Sequence, residues 1–568
     1  MLKLALPGDL DGKHKAALED WTRNGKVELF WNRDAALWTG EDESKWMGWL
    51  DIVDEQLAQI QKLLDLQSEV REKGYKHAVL LGMGGSSLSP EVTAMTFGQQ
   101  PGYPELLILD STNPEQIRHL ETRFDYRSTV FVVASKSGST LEPNIFKQYF
   151  FTRAQEELGA DAPKHFIAIT DPGSKMQQVA EQDGFAHIFF GRPSIGGRYS
   201  ALSNFGMVAA AIAGVDVRKL LDRANATAQE CRKPGGENPG VQLGCVLGAL
   251  GNAGRDKVTI NASAGVSDFG AWMEQLIAES TGKIGKGLIP VEREPIGAPE
   301  VYGNDRVFVH LKLAADDTAT ADAAFAKLEQ GGHPVIRVQL EDVYDIGGQY
   351  FLWEVGTAIA GSLLGINPFN QPDVEASKIA TRDLTTEYES KGSLPQETPI
   401  FSQDDISLFA DERNAGLLTP IARSLDGYIA AHIARAKAGD YFALLAYIDM
   451  NHETEAALQR ERVAMRDGKH VATCLGFGPR FLHSTGQAYK GGPNSGVFLQ
   501  VTSDHPQDLQ VPGQKYTFGV VQNAQARGDF QVLSERKRRA LRVHIAGDLM
   551  HGLGRLNQAI SNALQKGH

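Results

Sequence analysis

Cysteine is scarce in this chain: it occurs three times in 568 residues, as Cys231, Cys245 and Cys474. None of the three lies in a CxxC pair or at a spacing typical of a metal site. A long chain with so few cysteines is typical of a reducing compartment, where thiols stay unpaired. We therefore expect free thiols and a cytoplasmic protein.

Long apolar runs and clusters of basic residues are also missing. Residues 1–13 lack the charged start and apolar core of a secretory signal, and the apolar run around Gly206 to Val215 is too short to span a bilayer. The formal net charge is −13 at pH 7, without a sustained run of Lys and Arg. We expect no membrane segment and no general surface for nucleic acid, since the latter depends on clustered positive charge.

The composition that remains is ordinary for a globular protein, with 42% hydrophobic and 22% charged residues. A chain of this length predicts two to four domains. Short apolar segments alternate with helical stretches, which is typical of parallel sheets with helices on both faces. We predict a helical lead-in, two doubly wound three-layer α/β domains and a further C-terminal α/β unit, at residues 1–75, 76–220, 221–395 and 396–568. The strands predicted in the last unit are 442–448, 471–475, 497–501 and 517–521.

One stretch, Thr129 to Thr140, has the pattern of a buried strand that ends in small hydroxyl residues. Residues 130–134 are apolar and rich in β-branched side chains, and a helical pattern begins at Leu141. Free N–H groups at a helix N-terminus favour an anion, and short hydroxyl side chains add donors. A phosphate site is therefore predicted at Ser135, Ser137, Ser139 and Thr140. The alternative is that these hydroxyls only cap the helix.

A second turn, Gly82-Met-Gly-Gly-Ser-Ser87, follows the apolar residues 77–81. Glycine allows a backbone to approach a ligand closely, but Ser87 stands where the third glycine of a dinucleotide-binding G-x-G-x-x-G would be. Ligands of parallel sheets bind beyond the carboxyl ends of the strands, so both turns can face one ligand. Arg198, on a Gly-Gly-Arg turn, is predicted at the same edge, unless it forms a surface ion pair.

Three more polar features stand out further along the chain. Glu279 lies in the last turn of a predicted helix, Lys378 follows an irregular Asn/Pro loop, and the loop 478–492 is dense in polar and basic groups. Each has an ordinary alternative. Glu279 and Lys283 could form an exposed i, i+4 pair, Lys378 could be a solvated lysine, and the loop could be a subunit contact.

Five motifs, taken together, resemble glucose-6-phosphate isomerase. They are Gly82-Met-Gly-Gly-Ser-Ser, Ser135-Lys-Ser-Gly-Ser-Thr-Leu-Glu, Gly197-Arg-Tyr-Ser, Glu279-Ser-Thr-Gly-Lys and Asn367-Pro-Phe-Asn-Gln-Pro-Asp-Val-Glu-Ala-Ser-Lys. The resemblance covers about residues 82–378 and implies tandem sugar-isomerase (SIS) domains. The subtype fused behind a transaldolase in some bacteria is the most similar, so we expect a free-standing isomerase or the isomerase part of a fusion.

The resemblance implies roles for individual side chains. Arg198 would hold a positive charge beside O1 and O2 of the sugar, where negative charge develops in the enediolate. Glu279 would be the base that moves the proton between C2 and C1, and Lys378 would assist ring opening. The other residues implied to bind the sugar or its phosphate are Gly85, Ser86, Ser135, Lys136, Ser137, Thr140, Gly197 and Gln371. The resemblance implies no cofactor and no metal, because the proton only moves between adjacent carbons. It also implies a homodimer.

The ring-opening histidine of the family has no counterpart shortly after Glu279, because residues 283–304 contain no histidine. His310 lies in an apolar strand pattern and His333 in a Gly-Gly-His-Pro turn, so we predict structural roles for both. His483, in the polar loop 478–492, is our predicted substitute.

The predicted activity is the interconversion of glucose 6-phosphate and fructose 6-phosphate through a cis-enediolate, in glycolysis and gluconeogenesis. One alternative is a sugar-phosphate-binding regulator without chemistry. Another is an isomerase that also accepts mannose 6-phosphate. A base together with Arg198 and Lys378 favours an enzyme, since a sensor needs phosphate contacts but no base.

Overall fold

Alternating strands and helices form three largely parallel sheets in the computed structural model, which describes residues 2–565. The chain begins with a short strand that the sequence pattern did not predict, followed by the expected helices. These elements are β1 (Leu2–Ala5), α1 (Leu10–Arg23), α2 (Lys26–Trp31), α3 (Ile52–Ala58) and α4 (Gln61–Lys73). Tryptophans fix this region to the rest of the chain: the indole of Trp38 donates to the carbonyl of Ala358 over 2.8 Å.

The first sheet has five parallel strands in the order β3-β2-β4-β5-β6. Its strands are β2 (His77–Leu81), β3 (Glu105–Leu109), β4 (Thr129–Ala134), β5 (Phe166–Thr170) and β6 (His187–Phe190). Its helices are α5 (Leu88–Phe97), α6 (Pro114–Glu121), α7 (Leu141–Leu158), α8 (Lys175–Asp183) and α9 (Asn204–Ile212). Because β2 pairs directly with β4, the glycine turn and the hydroxyl turn that follow them lie side by side.

The second sheet has the order β1-β10-β9-β7-β8, and only β1 runs antiparallel. Its own strands are β7 (Lys257–Ala262), β8 (Ile289–Glu292), β9 (Arg306–Leu313) and β10 (Val335–Leu340). The helices of this region are α10 (Val217–Cys231), α11 (Pro239–Asn252), α12 (Phe269–Thr281), α13 (Ala319–Gln330), α14 (Ile346–Leu364) and α15 (Pro372–Lys391).

The third sheet has the order β11-β12-β16-β15-β13-β14. Its strands are β11 (Phe401–Gln403), β12 (Ile406–Phe409), β13 (Tyr441–Tyr447), β14 (Ala472–Phe477), β15 (Gly496–Ser503) and β16 (Arg539–Ile545). The helices are α16 (Glu412–Leu418), α17 (Leu425–Ile433), α18 (His452–Lys469), α19 (Gly486–Gly491), α20 (Phe518–Glu535) and α21 (Leu549–Gln565).

One strand predicted in this last region is wrong. Residues 517–521 begin helix α20, and the Thr517 side chain caps it by accepting from the N–H of Val520. A short apolar run does not distinguish a buried strand from the start of a buried helix. The strands of this region that the prediction missed are β11, β12 and β16. The predicted class, parallel α/β with a further C-terminal α/β unit, is confirmed.

The three cysteines are buried and unpaired, as expected. Burial raises the pKa of each thiol to about 12. No helix between residues 2 and 565 is long and apolar enough to cross a membrane.

Buried polar contacts join the third sheet to the edge of the second. The carboxylate of Glu294 accepts from the N–H of Thr473 and from Arg306, each over 3.0 Å. Arg462, on α18, donates to the carbonyl of Glu292 over 2.5 Å. The third sheet is thereby held beside β8.

The guanidinium of Arg480 makes one of the contacts that join the third unit to the first. Arg480 donates to both carboxylate oxygens of Glu91 at 2.7 and 2.8 Å, and it contacts Asp110 at 2.9 and 3.0 Å. Burial raises the pKa of Glu91 to about 7, against the opposing charge of Arg480. The planar fork of an arginine suits two carboxylates at once. Arg480 therefore fixes the start of the loop that continues to His483.

Replacing Arg480 with lysine is expected to lower the midpoint of thermal unfolding by about 5 °C, because lysine keeps the charge but cannot span two carboxylates. Arg555 is a matched control in the same unit. It also contacts two carboxylates, at 3.2 and 2.6 Å, but the side chain of Asp404 is 71% exposed. Arg555→Lys should shift the midpoint little, since exposed pairs contribute little. Equal shifts in calorimetry of the two variants would contradict the role of Arg480.

Candidate functional site

A cavity of about 910 Å³ opens beyond the carboxyl ends of β2 and β4. Its walls come from the turns after these strands, from α12, from α7, from the start of α15 and from the loop before α19. The predicted site residues that line it are Gly85, Ser86, Ser135, Lys136, Ser137, Thr140, Gly197, Glu279, Gln371, Lys378 and His483. Arg198 lies behind this wall, and its side chain is 1% exposed.

The hydroxyl turn is arranged around the N-terminus of α7. Thr140 occupies the N-cap position, yet no N–H of α7 in the described chain donates to its side chain. The hydroxyl of Ser135 is buried and has no hydrogen-bond partner among residues 2–565. Ser137 and Ser139 contact each other over 2.7 Å. Thr140 therefore does not cap the helix as the alternative interpretation required, and the hydroxyl residues line the cavity together with the first turn of α7.

Lys136 lines the cavity, but its ammonium group is engaged elsewhere. It forms an ion pair with Asp171 and donates to the carbonyl of Pro193 over 3.2 Å. Burial raises the pKa of Asp171, although the hydrogen bond from Lys136 acts in the opposite direction. The lysine thus contributes its charge near the turn while its donors are shared with Asp171.

Glu279 is held between two donors near the C-terminal end of α12. One carboxylate oxygen, Oε1, lies 3.5 Å from Nη1 of Arg198, and Oε2 accepts from Gln275 over 3.2 Å. Its side chain is 7% exposed. The alternative of an exposed pair with Lys283 is wrong. The Lys283 ammonium is buried and donates to the carbonyls of Glu279 and Ser280, and burial lowers its pKa well below the usual value.

Arg198 is fixed by four hydrogen bonds, so the surface ion pair considered for it is also wrong. Its Nε donates to Ser280 over 2.8 Å and its Nη1 to the side chain of Gln371 over 2.7 Å. Its Nη2 donates to the carbonyls of Pro368 and Asn370 over 2.6 and 3.1 Å. Guanidinium carries five N–H donors. One N–H, on Nη1, remains on the side of Glu279.

The glycine turn after β2 and the Gly196-Gly197 turn approach each other more closely than side chains would allow. A Cβ atom on Gly85 would lie 2.0 Å from the carbonyl oxygen of Gly197. Glycine at this position therefore lets the two turns form adjoining parts of one wall.

His483 reaches the cavity from the C-terminal unit and forms a pair with Glu142. Its Nε2 lies 3.1 Å from Oε1 of Glu142, which also accepts from Gln525 over 2.6 Å. Burial opposes ionisation of Glu142, but the charge and hydrogen bond of His483 outweigh it and keep the carboxyl pKa below its usual value. The backbone carbonyl of His483 accepts from Gln275 over 2.7 Å, so the same amide contacts both Glu279 and the histidine loop.

Sequence reasoning missed Gln275, Glu142 and Gln525. Glu142 ended one of the five motifs, but nothing in the sequence connects it to a histidine 341 positions away. Gln275 precedes Glu279 by one helical turn, which is the only local signal for it.

Lys378 lies on the cavity wall, whereas His310 and His333 lie elsewhere. Lys378 is 39% exposed on the cavity wall and pairs with Glu375 over 2.8 Å. His310 is buried in β9 and stacks on Phe325, and burial lowers its pKa to about 4. His333 contacts the carbonyl of Pro299. Neither of these two histidines lines the cavity.

Comparison with known proteins connects this site to one family. Residues 50–289 match the family model of phosphoglucose isomerase. A "probable glucose-6-phosphate isomerase" of Methanococcus maripaludis is 26% identical over 427 residues, which cover 66% of this chain and 95% of that protein. The glucose-6-phosphate isomerase of Campylobacter jejuni is 28% identical over 389 residues, covering 60% of this chain and 92% of that protein.

Two crystal structures share the fold over about two thirds of the chain. A hypothetical protein of Thermus thermophilus has a TM-score of 0.59 at 24% identity, covering 67% of this chain and 99% of that one. A glucose-6-phosphate isomerase of Chlamydia trachomatis has a TM-score of 0.54 at 19% identity, covering 67% and 86%. The resemblance predicted from the five motifs is confirmed: residues 50–289 match the phosphoglucose isomerase model, and the two relatives with that activity in their names are similar over 66% and 60% of this chain.

Proposed function

We propose that this protein interconverts glucose 6-phosphate and fructose 6-phosphate by moving a proton between C2 and C1 through a cis-enediolate. The family match and the named relatives support this activity. The observation that carries it is one cavity that joins a hydroxyl-lined helix N-terminus to the carboxylate of Glu279, behind which the guanidinium of Arg198 is buried.

The phosphate would bind at the turn before α7. Helix N–H groups and the hydroxyls of Ser135, Ser137 and Thr140 offer donors there without a competing cap. Lys136 would add positive charge beside the same turn. Gly85, Ser86, Gly197 and Gln371 would contact the sugar. With the phosphate held at this end, the open-chain sugar would extend toward Glu279.

Glu279 would take the C2 proton of the aldose and return it to C1. As C2 loses its proton, negative charge moves onto O1, and the fixed guanidinium of Arg198 would stabilise that charge. Four hydrogen bonds orient Arg198 in advance, so it needs no rearrangement during the reaction. The return of the proton to C1, with transfer of a hydroxyl proton from O2 to O1, completes the ketose. No electron enters or leaves.

Glu279→Gln should reduce kcat by about 100-fold or more, because it removes the base while keeping the side chain's size. Substrate binding should change little, since the proposed phosphate turn follows the first sheet, whereas Glu279 lies on α12. A coupled assay with fructose 6-phosphate and calorimetric titration of substrate measure the two effects.

Glu274→Gln is the matched control on the same helix. Glu274 does not line the cavity, and burial raises the pKa of its carboxyl to about 8. Binding without turnover in the wild type would instead favour the sugar-phosphate-binding regulator, and the role of Glu279 would fall with the activity.

We also propose that His483 opens the sugar ring, with Lys378 assisting. The pair with Glu142 orients the imidazole through Nε2. Nδ1 has no hydrogen-bond partner in the described part of the chain. An imidazole held in this way can exchange a proton with the ring oxygen or the O1 hydroxyl.

His483→Ala should slow turnover of cyclic hexose 6-phosphate by about tenfold or more. An open-chain analogue that lacks the ring-closing hydroxyls should be affected much less. His505→Ala is the control, because His505 pairs with Glu115 over 3.0 Å across the same two units but outside the cavity. Equal slowing of cyclic and open-chain substrates would exclude ring opening by His483.

We further propose that the protein acts in the cytoplasm as a homodimer, and that a transaldolase is its partner or fusion neighbour. The family resemblance supports the dimer and the partner, and the unpaired cysteines support a reducing compartment. Sedimentation velocity of the purified protein should give about twice the mass of one chain. A single-chain mass at all concentrations would exclude the dimer.

A further inference from the structure

Gln487, on α19, connects two segments that carry the site. The residue is fully buried and does not line the cavity. Its Nε2 donates to the carbonyl of Gly282 over 2.9 Å and to Oδ2 of Asp373 over 3.0 Å. Its Oε1 accepts from the N–H groups of Asp373 and Val374 over 2.9 and 3.3 Å. The amide of Gln487 thus uses all its donors and acceptors on two segments, the end of α12 at Gly282 and the start of α15 at Asp373 and Val374.

The contact to Asp373 and Val374 caps a helix. The first N–H groups of a helix have no partner within it and need an outside acceptor. Gln371, at the N-cap position of α15, provides no side-chain cap. Gln487 supplies the acceptor from a different unit, 114 positions along the chain. The start of α15 is therefore defined by the C-terminal unit.

Both segments lead directly to the cavity. Gly282 follows α12 and lies three positions after Glu279. The start of α15 lies between Gln371, which accepts from Arg198, and Lys378 on the cavity wall. One amide thus sets the distance between the helix end that carries the base and the helix start that carries the sugar-lining residues.

Close packing leaves α19 little freedom to move. A Cβ atom on Gly282 would lie 2.2 Å from Cα of Ala488, and one on Gly491 would lie 2.4 Å from Oδ2 of Asp373. Arg536, from the same unit, donates to the other oxygen of Asp373 over 2.8 Å. The surroundings therefore fix the position of Gln487, and its hydrogen bonds in turn fix the end of α12 and the start of α15.

We propose that Gln487 is a positioning residue for the isomerase reaction, holding Glu279 and the start of α15 at the separation that the proton transfer needs. The inference rests on the proposed function. It assigns a specific role to the C-terminal unit, which keeps two helix ends of the preceding unit in register.

Gln487→Glu tests this with little change of volume. The variant keeps one acceptor oxygen but turns the donor toward Gly282 and Asp373 into a carboxylate oxygen. We expect kcat to fall by about 100-fold, as for a reacting group displaced by about 1 Å. KM should stay within about threefold, because the phosphate turn on the first sheet is untouched. Gln487→Asn, whose side chain is too short for both contacts, should act in the same direction.

Rescue and control separate positioning from a loss of stability. Adding Asp373→Asn to Gln487→Glu restores a donor opposite the new carboxylate and should recover about tenfold in kcat, as expected for directly coupled residues. Gln500→Glu is the control. Gln500 is equally buried and also donates to a backbone carbonyl and an aspartate, those of Ala526 and Asp529, outside the cavity. Gln500→Glu should lower the midpoint of thermal unfolding about as much as Gln487→Glu does, and it should leave kcat within about threefold of the wild type.

The outcomes are distinct. Lost kcat with retained KM, recovered by Asp373→Asn, supports positioning. Wild-type turnover with unchanged kcat in both Gln487 variants, or a loss in kcat no larger than in Gln500→Glu, would overturn this inference alone. A wild-type protein without turnover would overturn the proposed function and, with it, a role in positioning for that reaction.

Discussion

The arrangement of the segments around the cavity depends on the hydrogen bonds of the Arg198 guanidinium. A charge that is 1% exposed must recover the lost hydration from its partners, and Arg198 does so through four hydrogen bonds to two segments. These segments are the end of α12 and the stretch 368–371 before α15. Because the arginine must satisfy both of them at once, the turn at 197–199, the end of α12 and the start of α15 have one relative arrangement.

The contact between Arg198 and Glu279 is loose by comparison, and this suits the proposed role of Glu279 as the base. At 3.5 Å the guanidinium favours negative charge in the cavity without engaging both carboxylate oxygens. Gln275 binds the other oxygen, so the carboxylate has a defined orientation while Oε1 stays able to accept a proton. A bidentate contact would bind both oxygens and leave the carboxylate a structural partner of the arginine.

Sequence reasoning located the parts of the site that depend on short-range pattern. Residues 129–141 combine a β-branched run, small hydroxyls and a helix start within one turn, so their geometry follows locally. The adjacency of the two turns follows from parallel strands. The pair of His483 with Glu142 and the cap by Gln487 depend on docking of a unit hundreds of residues away, for which the chain offers no local signal. The strand prediction at 517–521 was wrong for a different reason: the local pattern was present, but a short apolar run fits both a strand and a helix.

The C-terminal unit contributes to the cavity mainly through one short segment, besides Gln525 on α20. Between Arg480 and Gln487 the chain makes a two-carboxylate contact to the first unit, presents His483 to Glu142, and caps a helix that follows the second sheet. Each contact is polar and at least partly buried, so leaving any of them unmade would cost free energy. A segment that satisfies all three can dock in only one way, and the same docking that stabilises the unit therefore also fixes the histidine at the cavity wall. In this protein, stability of the interface and geometry of the site are the same constraint.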